Sequence, residues 1–155
     1  MSLHSKQSGF TLIEMMIIIA ILGIFAGIAI PNYLAWLPKS RLNGAARQVM
    51  GDLMAARMQA VKQNHRVKVF FYSNHQYKVC DDANNDTTID DGEGDVKLRD
   101  IQTEYYDVTL SANNNPIFQP NGTVSNLPTI NLGSLSNSSW SKSITISSAG
   151  RVKIN

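Results

Sequence analysis

The sequence predicts an α+β protein in which one long N-terminal helix, transmembrane in its first half and amphipathic in its second, packs on an antiparallel β-sheet domain. An apolar run extends from Phe10 to Ile30, and helical periodicity continues beyond Pro38. From Arg66 onward, β-branched and aromatic residues are separated by Asn, Gly and Ser. Many short strands after one long helix indicate a sheet packed on a face of that helix.

The chain is expected to divide into a leader, a membrane segment and a globular domain. Residues 1–9 are the leader, residues 10–37 contain the apolar half of the helix, and residues 38–155 form the domain, which includes the amphipathic half. At about 1.5 Å per residue, the run from Phe10 to Ile30 covers roughly 30 Å, the thickness of a bilayer's hydrocarbon core. The alternative is an ordinary signal peptide or signal anchor, whose apolar core of roughly 7–15 residues precedes its cleavage site.

Glu14 is the single carboxylate in this apolar run. A charge at membrane depth costs on the order of 2.5–3.5 kcal/mol, so Glu14 needs a cationic partner. No Lys, Arg or His lies between Phe10 and Leu37. The partner must therefore come from another chain, from lipid or from a new amino terminus. Cleavage between Gly9 and Phe10 would create a positive α-amine one helical turn from Glu14, and a neighbouring subunit's amine could reach it too.

The stretch Gly9-Phe10-Thr11-Leu12-Ile13-Glu14 resembles the processing site of type IV pilins and type II secretion pseudopilins. The resemblance implies that a prepilin peptidase cuts after Gly9 and methylates the amine of Phe10. It implies that Glu14 serves in docking and register while helix 1 joins other pilin or pseudopilin subunits. It further implies a single-pass protein of the bacterial inner membrane, in contact with lipid, with a periplasmic C-terminal domain that is assembled into a pilus or pseudopilus.

The amphipathic half of the helix follows Pro38. Apolar residues recur there at three- and four-residue spacing, which predicts packing against a sheet. This stripe consists of Leu42, Ala45, Ala46, Val49, Met50, Leu53, Met54, Ala60 and Val61. Pro31 and Pro38 are predicted to kink or interrupt the helix, because each removes a backbone donor and crowds the preceding turn. Asn64-His65 is expected to end it.

Short strands are predicted after the helix. Their ranges are Val67–Tyr72, Gln76–Cys80, Val96–Ile101, Tyr105–Leu110, Pro116–Phe118, Thr129–Leu132, Ser143–Ser147 and Arg151–Ile154. The first two should form a hairpin around Ser73-Asn74-His75, and the last should close a hairpin across Ala149-Gly150. Cys80 is the sole cysteine, so an internal disulfide is excluded, and its place in an apolar stretch predicts a buried thiol.

The C-terminal half carries a second resemblance. The order Ile117-Phe118-Gln119-Pro120-Asn121-Gly122, Ile130-Asn131-Leu132, Ile144-Thr145-Ile146 and Gly150-Arg151-Val152 is similar to the GspH/FimT-type minor pilin domain. The resemblance implies a minor pilin or pseudopilin, a structural subunit that joins or primes a type IV pilus or a type II secretion pseudopilus.

DNA binding is the alternative function. FimT-like members with a basic Gly-Arg-x-Arg stretch near the C terminus are associated with DNA uptake, and Lys153 replaces the second arginine here. The candidate DNA-binding residues are Lys142, Arg151 and Lys153. The formal net charge of +2 makes phosphate attraction weak and sensitive to salt.

The acidic segment Asp82–Glu93 resembles a twelve-residue calcium loop without flanking helices. Oxygen-bearing residues occupy the ligand positions, which makes Asp82, Asn84, Asp86, Thr88, Asp90 and Glu93 candidate calcium ligands. Thr87 stands where glycine usually makes the sharp turn, and a solvated acidic turn is the alternative. Calcium is therefore an optional ligand, and no cofactor is required.

No enzymatic activity is expected from the sequence. His4, His65 and His75 fall in the leader, at the helix end and in a hairpin turn, and no nucleophile motif accompanies them. No phosphate-binding glycine loop or metalloprotease motif occurs. The sequence therefore favours a structural subunit over a catalyst.

Overall fold

The computed structural model describes residues 10–84, 86, 88–94 and 96–155. It divides between Leu37 and Pro38 into two compact units. In chain order the elements are α1 (Leu12–Gln63), β1 (Val67–Phe71), β2 (Gln76–Asp81), β3 (Lys97–Asp100), a 3₁₀ turn (Ile101–Thr103), β4 (Val108–Ala112), β5 (Ile117–Phe118), β6 (Val124–Ser125), β7 (Thr129–Ser134), β8 (Ser141–Ile146) and β9 (Val152–Ile154).

The N-terminal unit contributes the apolar start of α1. An 18-residue window there has a mean hydropathy of 2.6, and none of it is buried. By length and composition this part of α1 is able to cross a membrane. Apolar side chains such as Leu12 and Ile24 are left exposed by the protein itself, as expected of residues whose solvent is lipid.

The prolines do not interrupt α1. Pro31 and Pro38 both lie inside the helical range Leu12–Gln63, so the prediction of an interruption is wrong, and only the predicted kink stays a prediction. A proline removes one backbone donor and disturbs one turn. Helical residues continue on both sides of each proline here, and this propagation outweighs the local loss.

The C-terminal unit contains two antiparallel sheets where the sequence predicted one. The five-stranded sheet has the order β3-β2-β1-β5-β6, and the four-stranded sheet has the order β4-β7-β8-β9. The predicted strand Tyr105–Leu110 begins only at Val108, because Tyr105 accepts a turn hydrogen bond from the Val108 N–H. β6 was not predicted, since a strand of two residues has no periodicity to detect.

One face of α1 packs on both sheets and forms the core. The helix contributes Leu42, Ala45, Ala46, Val49, Leu53, Ala56 and Ala60. The largest strand side chains in the core are Tyr77, Phe118, Ile130, Leu132 and Ile144. Met54 and Val61 are exposed instead of buried, so their assignment to the core stripe is wrong. Met54 is 41% exposed and Val61 is 51% exposed.

The predicted helix end and hairpins are confirmed. Asn64 follows the last helical residue with φ of 56°, the left-handed conformation that commonly terminates a helix. β1 and β2 pair around the Ser73-Asn74-His75 turn, with Phe71 opposite Tyr77. β8 and β9 pair with Ile146 opposite Val152, across the Ala149-Gly150 turn. Cys80 is a buried free thiol, as predicted.

Candidate functional site

Thr11 caps the start of α1. The Glu14 N–H donates to the Thr11 hydroxyl at 3.3 Å, and the Met15 N–H donates to the Thr11 carbonyl at 3.2 Å. These are the bonds of an N-cap residue, which satisfies backbone donors that a helix leaves unpaired at its start. The spacing Thr11-x-x-Glu14 is the capping-box signature, so this cap could have been predicted from the sequence.

Glu14 is exposed in the first turn of α1 and makes no ion pair with the residues that the structure describes. Phe10, whose amine would be freed by cleavage, is 76% exposed. Gly9 lies outside the described residues, so the structure does not describe the predicted cleavage junction. The geometry leaves the Glu14 carboxylate available to a cation that this part of the chain does not provide.

The first candidate calcium ligand is held by an arginine. Asp82 is fully buried, and its Oδ2 accepts hydrogen bonds from Arg66 Nη2 at 2.9 Å and Nε at 3.2 Å. The Asp82 N–H also donates to the Arg66 carbonyl at 2.8 Å. This charged pair joins the chain just after α1 to the chain just after β2. Asp82 therefore has a structural partner that spacing along the sequence could not show.

The remaining candidate ligands bond within the loop. The two oxygens of Glu93 accept from the backbone N–H groups of Asn84 and Asp90, each at 3.1 Å. The Thr88 hydroxyl and then its backbone N–H, both donating to Asp86, hold the pKa of that carboxyl below its usual range. Within the described residues, no three His, Cys, Asp or Glu side chains are placed to hold a metal ion. This arrangement does not fit a closed calcium shell, because the Arg66 guanidinium occupies Oδ2 of Asp82.

Calcium binding stays a prediction, with a direct test. If the loop binds the ion in the native state only, millimolar calcium should raise the Tm of the full chain in detergent relative to chelator. Asp82→Ala and Glu93→Ala should each abolish that rise. Because both carboxylates also make protein contacts, each variant is compared with itself in chelator. If the wild-type chain has the same Tm with and without calcium, the loop is a solvated acidic turn that does not bind the ion.

The basic residues of the candidate DNA site do not share one surface. Arg151 and Lys153 are exposed on the same side of β9, while Val152 between them is buried. Lys142 is half-buried and lies on the same face of β8 as the buried Ile144. Lys153 stands opposite Thr145 on the other side of that strand. The structure therefore presents a basic pair, with Lys142 on the opposite face of the sheet.

Arg57 fixes the hairpin that carries this pair. Its Nε donates to the Gly122 carbonyl at 2.9 Å, and its Nη2 donates to the Ala149 carbonyl at 3.2 Å. Gly150 has φ of +77°, and a Cβ there would collide with the Gly122 carbonyl and the Arg57 side chain. Only glycine fits this turn beside α1. The turn was recognisable from Ala149-Gly150, but the role of Arg57 was not.

A polar network crosses from α1 to the five-stranded sheet. The hydroxyl of the buried Tyr77 donates to Asp52 Oδ2 at 2.6 Å, and Arg99 Nε lies 3.5 Å from the same oxygen. Burial, and then the hydrogen bond to Asp52, raise the pKa of Tyr77 well above its usual value. The hydroxyl therefore stays protonated and acts as a donor. Sequence reasoning placed Tyr77 in a strand but gave no sign of this partner.

The fold is similar to that of solved structures. The type IV minor pilin FimU of Pseudomonas aeruginosa strain PAO1 superposes with a TM-score of 0.58 at 17% identity, over 76% of this chain and 90% of that chain. The minor pseudopilin EpsH of the Vibrio cholerae type 2 secretion system superposes with a TM-score of 0.59 at 10% identity, over 74% and 96%. At these identities the likeness establishes the fold.

Sequence comparison identifies the family. Residues 4–30 match the prokaryotic N-terminal methylation motif. A methylation motif that runs into the start of a long helix, together with antiparallel sheets packed on that helix, defines a pilin-like protein. Residues 45–150 match the type II transport protein GspH family, and the chain belongs to that family.

Curated relatives match over part of the chain. Fimbrial protein Q of Moraxella bovis is 49% identical over 53 residues, which cover 34% of this chain and 31% of the relative. A fimbrial protein of Pseudomonas aeruginosa is 32% identical over 93 residues, which cover 60% of this chain and 58% of the relative. The chain thus spans about a third to three fifths of the length of these relatives.

Proposed function

We propose that this chain is a minor pilin or pseudopilin that is cut after Gly9, methylated at Phe10 and incorporated through α1 into a type IV pilus or a type II secretion pseudopilus. The observation that carries the proposal is Glu14, an exposed carboxylate in the first turn of α1, at the start of its apolar and unburied part. A charge in that position needs a cation, and the amine of Phe10 in a neighbouring subunit supplies one. Membership of the GspH family supports the same role.

Before assembly, the apolar half of α1 holds the chain in the bacterial inner membrane as a single span, and the C-terminal unit is periplasmic. The unburied apolar window of α1 supports this location. The prepilin peptidase and membrane lipid are then the first partners, and other pilin or pseudopilin subunits follow. Function as a structural subunit requires no cofactor and no catalytic group.

Processing gives the direct test of the proposal. Chain produced in a host with a prepilin peptidase should lose residues 1–9 and gain one methyl group on the amine of Phe10. Gly9→Val should keep the leader, because a β-branched side chain crowds the backbone that the peptidase must reach. Intact-mass measurement of the membrane fraction distinguishes these products. A mature chain that begins after Ile30 would contradict the proposal and establish a conventional signal peptide.

DNA binding is a second candidate function, and the exposed pair of Arg151 and Lys153 is the observation that favours it. Two cations neutralise about two phosphates, so the affinity for duplex DNA should fall with salt at a log–log slope of roughly −2. Arg151→Ala with Lys153→Ala should remove binding without changing the Tm, whereas Lys142→Ala on the opposite face should leave it unchanged. Gel shifts at low and high salt measure this. If the double substitution does not change DNA binding, the role of structural subunit would be the one candidate function that remains.

A further inference from the structure

A groove of about 340 Å³ lies between α1 and β3 in the C-terminal unit. Residues from the helix form one side, and residues from β2 and β3 form the other. Its polar and apolar walls include Asp52, Gln59, Lys62, Val79, Lys97 and Arg99. The groove thus contains three cationic side chains and one carboxylate.

The carboxylate of the groove is already engaged. Asp52 accepts the Tyr77 hydroxyl and lies within ion-pair distance of Arg99. Two donors of the groove, Gln59 and Lys62, lack such a partner among the residues that the structure describes. The side-chain Nε2 of Gln59 is buried and has no hydrogen-bond partner, and Lys62 makes no ion pair, among the residues that the structure describes. Amide and ammonium donors without acceptors are complementary to a carboxylate.

The groove borders a free sheet edge. β3 ends the five-stranded sheet and pairs only with β2 among the described strands. Arg99 stands opposite Tyr77 and Lys97 opposite Val79, which places both cations on the α1 side of the sheet. Cationic residues on an edge strand oppose pairing with apolar or basic strands. They favour a strand whose alternate side chains are acidic.

We propose that β3 and this groove bind an extended acidic segment of a partner protein. The segment adds to the free edge of β3 through backbone hydrogen bonds, and one of its carboxylates enters the groove. There it accepts from Gln59 Nε2 and pairs with Lys62 and Arg99. The identity of the partner, another subunit of the same fibre, rests on the assembly role proposed above. Binding of the segment to the groove is measured without assembly and can therefore fail or succeed independently of that role.

The test uses the full chain in detergent and fluorescent peptides of the sequence Thr-Val-Glu-Val-Glu-Val-Thr. Anisotropy should show saturable binding that weakens as salt rises, and a peptide with lysine in place of both glutamates should not bind. Gln59→Leu should weaken binding about tenfold, the effect of losing one hydrogen bond to a charged group. The same substitution should leave the Tm unchanged or raise it, because it removes a buried donor that has no partner in the free chain.

The controls separate the groove from general charge effects. Lys62→Gln should weaken binding, and Lys39→Gln, which removes an exposed lysine from the same helix, should not. Equal binding of the lysine peptide, or wild-type affinity of Gln59→Leu, would overturn the proposal. A peptide with N-methylated backbone amides that binds as tightly would overturn the strand addition. If the chain self-associates and Lys62→Gln abolishes that self-association, the groove would instead bind a second copy of the chain.

Discussion

Replacing Arg66 by methionine should lower the stability of the C-terminal unit by about 3 kcal/mol, a fall in Tm of roughly 10 °C. The reason is the carboxylate left behind. Asp82 is fully buried, its Oδ2 depends on two donors from Arg66, and its Oδ1 has no partner among the described residues. Without the guanidinium, the folded state must hold an uncompensated buried charge. Thermal unfolding of the full chain in detergent, followed by circular dichroism, measures the change.

The double variant identifies the cause. Arg66→Met combined with Asp82→Asn removes the charge together with its partner, so it should recover most of the lost Tm. Arg151→Met is the matched control, because that arginine is exposed and should change the stability by less than about 0.5 kcal/mol. An Arg66→Met variant as stable as the Arg151→Met variant would show that the Asp82 charge is solvated in solution.

The same variant bears on the acidic loop. Arg66 holds Oδ2 of Asp82, and a calcium ion bound to the same carboxylate would be repelled by the adjacent guanidinium charge. If calcium binds, Arg66→Met should show a larger rise in Tm with calcium than the wild-type chain does. In that case the guanidinium lowers the affinity of the loop for the ion, even though Arg66 lies outside the twelve-residue pattern.

Most of the fold could be predicted from residues that are adjacent in the chain. The helix end at Asn64 and the hairpin turns at Asn74 and Gly150 each depend on residues adjacent in the chain. The exposure of Met54 and Val61 could not be predicted in this way. Their spacing fits a core stripe, but how far the sheets extend around α1 depends on strand pairings between distant segments.

The candidate sites also differ in whether their residues are adjacent in the chain or come together only in the fold. Glu14 and the predicted junction at Gly9 are conspicuous in the sequence, because the motif is contiguous and Glu14 is a charge in an apolar run. Arg66, the partner of Asp82, lies 16 residues away across a β-hairpin. The loop pattern therefore assigned the Asp82 carboxylate to calcium, although it is paired with this arginine. Gln59 and Arg99 come together only when α1 packs beside the sheet edge, and no spacing rule connects them.

Replacing Glu14 by leucine should leave the chain in the membrane and remove it from the fibre. Membrane insertion should not fall, because the substitution removes a charge from a membrane-depth helix. Incorporation should fall roughly tenfold or more, because the amine of Phe10 in a neighbouring subunit would lose its partner in a poorly hydrated interface. The comparison is between the amounts of the chain in sheared fibres and in the membrane fraction, in a strain that assembles the other subunits normally.

Glu14→Gln and Glu14→Asp separate the charge of this side chain from its shape. Glutamine keeps the size and removes the charge, so it should fail like leucine, whereas aspartate keeps the charge and should retain part of the incorporation. The cap at Thr11 bonds the backbone N–H of Glu14, so none of these substitutions removes it, and the start of α1 should stay helical. Wild-type amounts of Glu14→Gln in fibres would contradict a charge pair, and the carboxylate would then act only before assembly. Loss of all three variants from the membrane fraction would instead assign Glu14 to insertion.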